Sequence, residues 1–178
     1  MLSKHFPALG LLLCAGACGA PAPVLPADSR GAGASAALAP VLPTDARANL
    51  DPRWVQSPSP GIRYRWPPAD GFAAPPTPVV LPPGMLIDRF GPDTGPDTGN
   101  FFSPRGARFD KRSLPYDCAV RRYSAFRIKQ PLLVWIGKAA PWFSQDGGAT
   151  QIQTDAPVSL LIQDGVIETA PLTRLPCS

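Results

Sequence analysis

The chain has 178 residues, of which 25 are proline and 16 glycine; 17% are charged, and the formal net charge is +4. That basic excess is too small and too scattered for a nucleic-acid surface. The lone histidine, His5, stands in the leader, so neither a histidine-dependent triad nor a zinc site is expected.

The first residues, "MLSKHFPALGLLLCAGACGA", carry a short basic head (Lys4, with His5), an apolar run from Ala8 to Leu13, and small residues at Ala15, Gly16 and Ala17. This is the pattern of an export signal over residues 1–17, and its apolar run is too short for a permanent membrane span. Cleavage after Ala17 gives a secreted, extracellular or periplasmic protein. The alternative is a lipoprotein anchored to a membrane through Cys18. The leucine usual three residues before a lipidated cysteine is missing, which favours the soluble form. Cys14 falls within the signal, and Cys18 is removed or lipidated. Cys118 and Cys177 then remain as an even pair in an oxidising compartment, which predicts one disulfide pinning the C-terminal tail. Two unpaired buried thiols are the alternative.

Residues 18–60 are dominated by alanine, proline, glycine and serine, with no apolar period sustained for two turns. Such a segment buries too little surface to offset its ordering entropy, so a flexible linker is expected. A short helix in "SAALAPVL" would end at Pro40, and Trp54 is the first candidate contact with the domain. Residues 61–178 read as that domain. Met85 to Ile87 is an apolar run, and the tandem "GPDTGPDTGN" from Gly91 to Asn100 is a loop. Asp93 and Asp97 lack the dense oxygen spacing of a calcium loop, so a duplication within a surface turn is expected. "YSAFRIK" (Tyr123 to Lys129) and "LLVWIG" (Leu132 to Gly137) read as strands broken at Pro131, with Phe126 and Ile128 inward. "TQIQT" alternates, placing Gln151 and Gln153 opposite Ile152 in facing. "TDAPVSLLIQDG" is the best helix, capped by Thr154 or Asp155 and stopped at Gly165; "VIETA" returns as a strand. The fold class expected is α+β, a small domain of mostly antiparallel sheet with one or two short helices.

No phosphate-cradling glycine loop followed by lysine occurs, and no dinucleotide fingerprint. Arginines near aromatic residues, plus glutamine, suit a ligand with phosphates and stacking rings. "WPPADGFA", "LPPGMLIDRFG", "NFFSPRGARFDKRSLP" and "APWFSQDGGATQ" follow one another in order. Together they resemble the NAD glycohydrolase domain of the tuberculosis necrotizing toxin family, also found in secreted fungal NADases, over about residues 66–170.

The resemblance implies hydrolysis of NAD+ to nicotinamide and ADP-ribose, with NAD+ as substrate, no cofactor and no metal in the chemistry. It implies catalytic roles for Gln151, Arg89 and Arg112. Substrate binding would fall to Arg89, Phe101, Arg112, Gly147, Gly148 and Gln151. Arg89 and Arg112 would hold the diphosphate, Phe101 would stack on a ring, and Gln151 would engage the nicotinamide-side ribose. Trp142 and Phe143 would wall the pocket while Gly147 and Gly148 let backbone approach the ligand. Against this stand plainer readings: Trp142 and Phe143 as core, the glycines as a tight turn, and Arg89 paired with Asp88 or Asp110. The chain departs from the family at Ser124, where some members have histidine, at Asp146, where the family has proline, and in the extra "GPDT". An immunity protein is the macromolecular partner the resemblance allows for, and a membrane enters only through Cys18. A catalytically silent binding module on a stalk, and an ADP-ribosyltransferase or cyclase, are the alternatives.

Overall fold

The computed structural model describes residues 41–57, 61–92, 95–172 and 177. The signal expected over residues 1–17, Cys18, the short helix expected before Pro40, and Asp93 lie outside the described residues. Among the described residues, nine strands and one α-helix follow in chain order: β1 (Val55–Gln56), β2 (Arg63–Tyr64), β3 (Thr77–Leu81), β4 (Leu86–Gly91), β5 (Phe101–Pro104), β6 (Arg122–Ile128), β7 (Leu132–Lys138), β8 (Thr150–Gln153), α1 (Val158–Gln163) and β9 (Ile167–Ala170). Strands β1 and β2 pair with each other, and the other seven form a sheet in the order β3-β7-β8-β5-β4-β6-β9. Every pairing is antiparallel. The fold is therefore α+β, mostly antiparallel sheet with few short helices.

The strand positions follow local chemistry. Pro78 sits inside β3, which is an edge strand, so its missing N–H leaves no ladder bond unmade. On β6, Tyr123, Ala125, Phe126 and Ile128 are buried while Arg122 and Arg127 are exposed. The link from Lys129 to Pro131 then carries the chain to β7. Strand β4 is central, and every residue from Ile87 to Gly91 is buried, Asp88 and Arg89 included. The apolar run ending at Ile87 is thus only the start of a strand whose charged centre masks its burial.

The main core gathers Leu81, Ile87, Phe102, Phe126, Ile128, Val134, Ile152 and Ile167 from the sheet, with Val158 and Leu161 from α1. Each such side chain, fully buried, contributes about 1.5–3 kcal/mol. The helix starts without a side-chain cap, and its N-cap residue is Pro157. Its first free amides instead reach the preceding loop, Val158 N donating to Gly99 O (2.9 Å) and Ser159 N to Asp97 O (3.1 Å). Thr154 is diverted, its hydroxyl contacting the carbonyl oxygens of Asn100 and Ala156. Gly165, at φ 66°, ends the helix as expected. Cys118 and Cys177 form the disulfide.

The linker expected over residues 18–60 ends earlier than its composition implies. Leu50 and Val55 are 3% exposed and pack with Phe143 in a separate cluster that Trp54, Tyr64 and Trp142 adjoin. Ala46 forms a bridge with Tyr116, Arg47 N donates to Pro115 O, and Asp45 receives the Tyr64 hydroxyl and the Arg121 guanidinium. A few well-placed apolar residues and one carboxylate dock this stretch despite its low overall hydrophobicity.

Candidate active site

The ladder between β4 and β5 consists of two pairs, Ile87 with Pro104 and Asp88 with Ser103. Beyond Asp88 the ladder ends, and a cavity of about 460 Å³ lies among Arg89 and Phe90 of β4 and Phe101 and Phe102 of β5. Gln151 of β8, Arg112, Tyr116, Trp66 and Asp70 complete its main lining. The sheet topology therefore brings Arg89, Phe101, Arg112 and Gln151 to one place, although they are spread over more than sixty positions of sequence. A smaller cavity of about 240 Å³ adjoins it, sharing Arg89, Phe90 and Tyr116, and adds Asp97, Gly99 and Arg121.

Arg89 is 9% exposed, and its Nε lies 3.1 Å from the Asp97 carboxylate, close enough for an ion pair but without hydrogen-bond alignment. Its guanidinium stands over the Phe102 ring at 5.6 Å, and its buried Nη1 makes no hydrogen bond. Burial pulls the Arg89 pKa below the ordinary arginine value, while Asp97 acts in the opposite sense. Asp97 is only 7% exposed, so the second "GPDT" copy is no inert surface turn. The Asp97 carboxylate also accepts from Gly99 N at 3.1 Å, which folds the loop back against the arginine.

Arg112 lies at the end of a 3-10 turn and is 8% exposed. Its Nε and Nη2 donate to Ala107 O (3.0 and 2.6 Å), and Nη2 is 2.6 Å from Asp88. Asp88 is fully buried; Tyr123 Oη and Gly106 N donate to its other oxygen at 2.6 and 2.7 Å. Burial first, and then the bond to Asp88, push the Tyr123 hydroxyl up to about 12. Each cavity arginine therefore has its own buried carboxylate, Asp97 for Arg89 and Asp88 for Arg112. Asp110 pairs instead with Arg108 on the surface.

Gln151 is half-buried and donates from Nε2 to Asp70 O at 2.8 Å. Asp70 belongs to the turn Ala69–Gly71, whose three residues have φ of 51°, 53° and 82°. A Cβ at Gly71 would stand 3.3 Å from Pro67 Cγ and 3.4 Å from Gln151 Oε1, so it is the left-handed backbone at φ 82° rather than space beside the amide that calls for glycine.

Several expected contributors lie elsewhere. Gly147 and Gly148 do not line the cavity. A Cβ on Gly147 would meet the Ala139 carbonyl oxygen at 2.5 Å, so the close approach it permits is to its own chain, not to a ligand. Gly148 faces open space at φ 91° and its N–H bonds Ala139 O, closing the loop. Phe143 is fully buried in the cluster with Leu50 and Val55, and Trp142 packs against it; both are core, not pocket wall. Ser124 pairs with Arg89 in register but is not part of the lining. Asp146 pairs with Lys111 at 2.8 Å. Asp70, Tyr116 and Trp66 also line the cavity, beyond the residues the family resemblance implies; "WPPADGF" carries two of them, and its Asp-Gly step signals a left-handed turn.

A family model described as tuberculosis necrotizing toxin matches residues 80–170. The conidial surface nicotinamide adenine dinucleotide glycohydrolase nadA of Aspergillus fumigatus is 35% identical over 128 residues, covering 65% of this chain and 53% of the relative. The chain thus spans about half the length of the curated relative it matches. Among solved structures, tuberculosis necrotizing toxin complexed with its immunity factor aligns at 23% identity and a TM-score of 0.49, covering 60% of this chain and 61% of that one. Tse6 in complex with Tsi6 aligns at 20% identity and a TM-score of 0.38, covering 55% of this chain and 73% of that one.

Proposed function

The chain belongs to the tuberculosis necrotizing toxin family, and from that premise we propose that it hydrolyses NAD+ at the nicotinamide–ribose N-glycosidic bond. The observation that carries this reading is the meeting of Arg89, Arg112, Phe101 and Gln151 in one cavity. Its similarity to a protein named as a nicotinamide adenine dinucleotide glycohydrolase supports it.

The chemistry asks for placement more than for a strong acid or nucleophile. In NAD+ the leaving group is a cation; as the C–N bond breaks, the electron pair stays on nitrogen and neutral nicotinamide departs. The ribose passes through an oxocarbenium-like state. Water adds to its anomeric carbon and loses a proton to solvent, giving ADP-ribose. Catalysis then rests on orientation and electrostatics, with no cofactor or metal required in the proposal. Arg89 borders both cavities, which suits a ligand whose two halves are joined by a diphosphate. Arg112 offers a second, rigidly held guanidinium, and Phe101, 38% exposed, offers a ring face. The Gln151 amide is held by the Asp70 carbonyl, leaving its Oε1 to engage a ribose hydroxyl.

The test is nicotinamide release from NAD+ by the purified protein. Steady release with ADP-ribose as co-product supports the reading. Release of a cyclic product, or transfer to an acceptor, favours the cyclase or transferase alternative, and no release leaves the binding module. Gln151→Lys should abolish turnover with the melting temperature unchanged. Export through residues 1–17 and an immunity protein as partner are further parts of the proposal. The first is checked by N-terminal sequencing of protein recovered outside the producing cell.

A further inference from the structure

Asp70 is the sole carboxylate among the described residues lining the larger cavity, whose other charged groups are Arg89 and Arg112. Its backbone lies in the left-handed region, which aspartate and asparagine tolerate better than other non-glycine residues. Ala69 and Asp70 both have left-handed φ, and the turn is locked from three sides. Ala140 N donates to Gly71 O at 2.8 Å, Gln151 Nε2 to Asp70 O at 2.8 Å, and Gln153 Nε2 to the Asp70 carboxylate at 3.3 Å. Asp70, on the Ala69–Gly71 turn, and Gln151, on β8, therefore lie side by side in the cavity lining, while Arg89 stands on β4, with β5 between β8 and β4. The site is polarised along the sheet, anionic beside the glutamine and cationic where β4 leaves its ladder.

We propose that Asp70 is a further catalytic residue of the NAD+ hydrolysis inferred above: its carboxylate faces the nicotinamide-bearing ribose, selects the positively charged ring and stabilises the positive charge that passes to the sugar as the bond breaks. The inference rests on that reading and deepens it by fixing the direction of the substrate, diphosphate toward the arginines and nicotinamide toward Asp70. A dinucleotide carries both charges, so a cavity with its carboxylate on the Ala69–Gly71 turn and its guanidinium groups on β4 and on the turn ending at Arg112 accepts it in one orientation. Asp70 is exposed in the free protein, and a bound ring would cover it, which strengthens the attraction by removing water. Because that covering is partial, the effect falls below the hundredfold or more seen for buried oxyanion donors; about tenfold on kcat is expected.

The experiment compares wild type with Asp70→Asn, a substitution that keeps the left-handed turn because asparagine tolerates that backbone. Asp70→Gly serves as the second variant, keeping the turn without a side chain. Turnover of NAD+ is measured together with binding of carba-NAD+, which has a cationic ring and is not hydrolysed, of NADH, whose ring is neutral, and of ADP-ribose, which has no ring. Wild type should bind carba-NAD+ several-fold more tightly than NADH. Both variants should lose that preference and about tenfold in kcat, with ADP-ribose affinity held within about twofold. A carboxylate that only braced Gln153 would lower the melting temperature and leave the preference intact, which overturns the inference, as does wild-type kcat in either variant. Failure of wild type to release nicotinamide or to bind any of the three probes would sink the NAD+ reading itself, a different result from an active wild type with unaffected variants.

Discussion

The Asp88 carboxylate, with none of its surface exposed, lies 2.6 Å from the Arg112 guanidinium that lines the cavity. Arg112 is further fixed by two bonds to Ala107 O and stands over the Phe90 ring at 5.2 Å. Removing the carboxylate leaves a buried cation without compensation and strands the Tyr123 hydroxyl, whose partner it is. Asp88→Ala should therefore destabilise the fold by about 3–5 kcal/mol, read as a lower urea midpoint with the slope unchanged.

Gly99 sets the placement of Arg89. A Cβ there would fall onto the Arg89 guanidinium nitrogens, which are the far end of a flexible side chain and can give way. Gly99→Ala should push Arg89 from its position beside Asp97 and, because that pair is buried, lower stability by about 3–5 kcal/mol. Nicotinamide release should fall roughly 10- to 100-fold. Equal activity in this variant would show that the position of Arg89 does not matter to the chemistry.

The alkaline limb of the stability curve has a definite sign. Tyr123 is pushed from 10.0 to about 12, and burial raises Tyr64 and Tyr116 as well. Below pH 10 the Tyr123 hydroxyl holds its proton in both states. Between pH 10 and 12 the folded chain keeps a proton that the unfolded chain has lost, so stability falls as pH rises through that window. Tyr123 contributes a slope of up to about 1.4 kcal/mol per pH unit within that window. Tyr123→Phe should remove one share of that slope, and absorbance near 295 nm should show the phenolates appearing together with unfolding.

The disulfide joins residues 59 apart. Its loop-closure effect on the unfolded chain is about 4 kcal/mol, and Cys118 is also packed with Phe90, Phe109 and Tyr123 beside the cavity. Reduction, or Cys118→Ser with Cys177→Ser, should lower stability by about 2–4 kcal/mol, measured by thermal melting with and without reductant.

Where the residues carried a period, the strands were readable. "YSAFRIK" and "LLVWIG" match β6 and β7 to within a residue or so, because apolar alternation records which face is buried. The helix was placed, but its cap was not: Thr154 turned to Asn100 and Ala156, and the loop before β5 supplied the carbonyl oxygens for the free amides. Leu50 and Val55 docked within a proline-rich stretch because two apolar residues suffice to pin a chain where a matching surface, here Phe143, already exists. Composition averages over a window and does not register such single contacts.

The amino-acid order alone determined the family, through four blocks kept in sequence, and with it the identities of Arg89, Arg112, Phe101 and Gln151. It also pointed to the cysteine pair, since Cys118 and Cys177 are the two cysteines of residues 61–178. What the tertiary structure decided was which charge serves which. Asp88 and Arg89 are neighbours in "DRFG", yet successive residues of an extended strand point to opposite faces, so they do not pair. Asp88 goes to Arg112, Arg89 goes to Asp97, and Asp70 is left facing the cavity. Those partnerships depend on how three loops close over one splayed pair of strands, and loop closure leaves no periodic mark in the sequence.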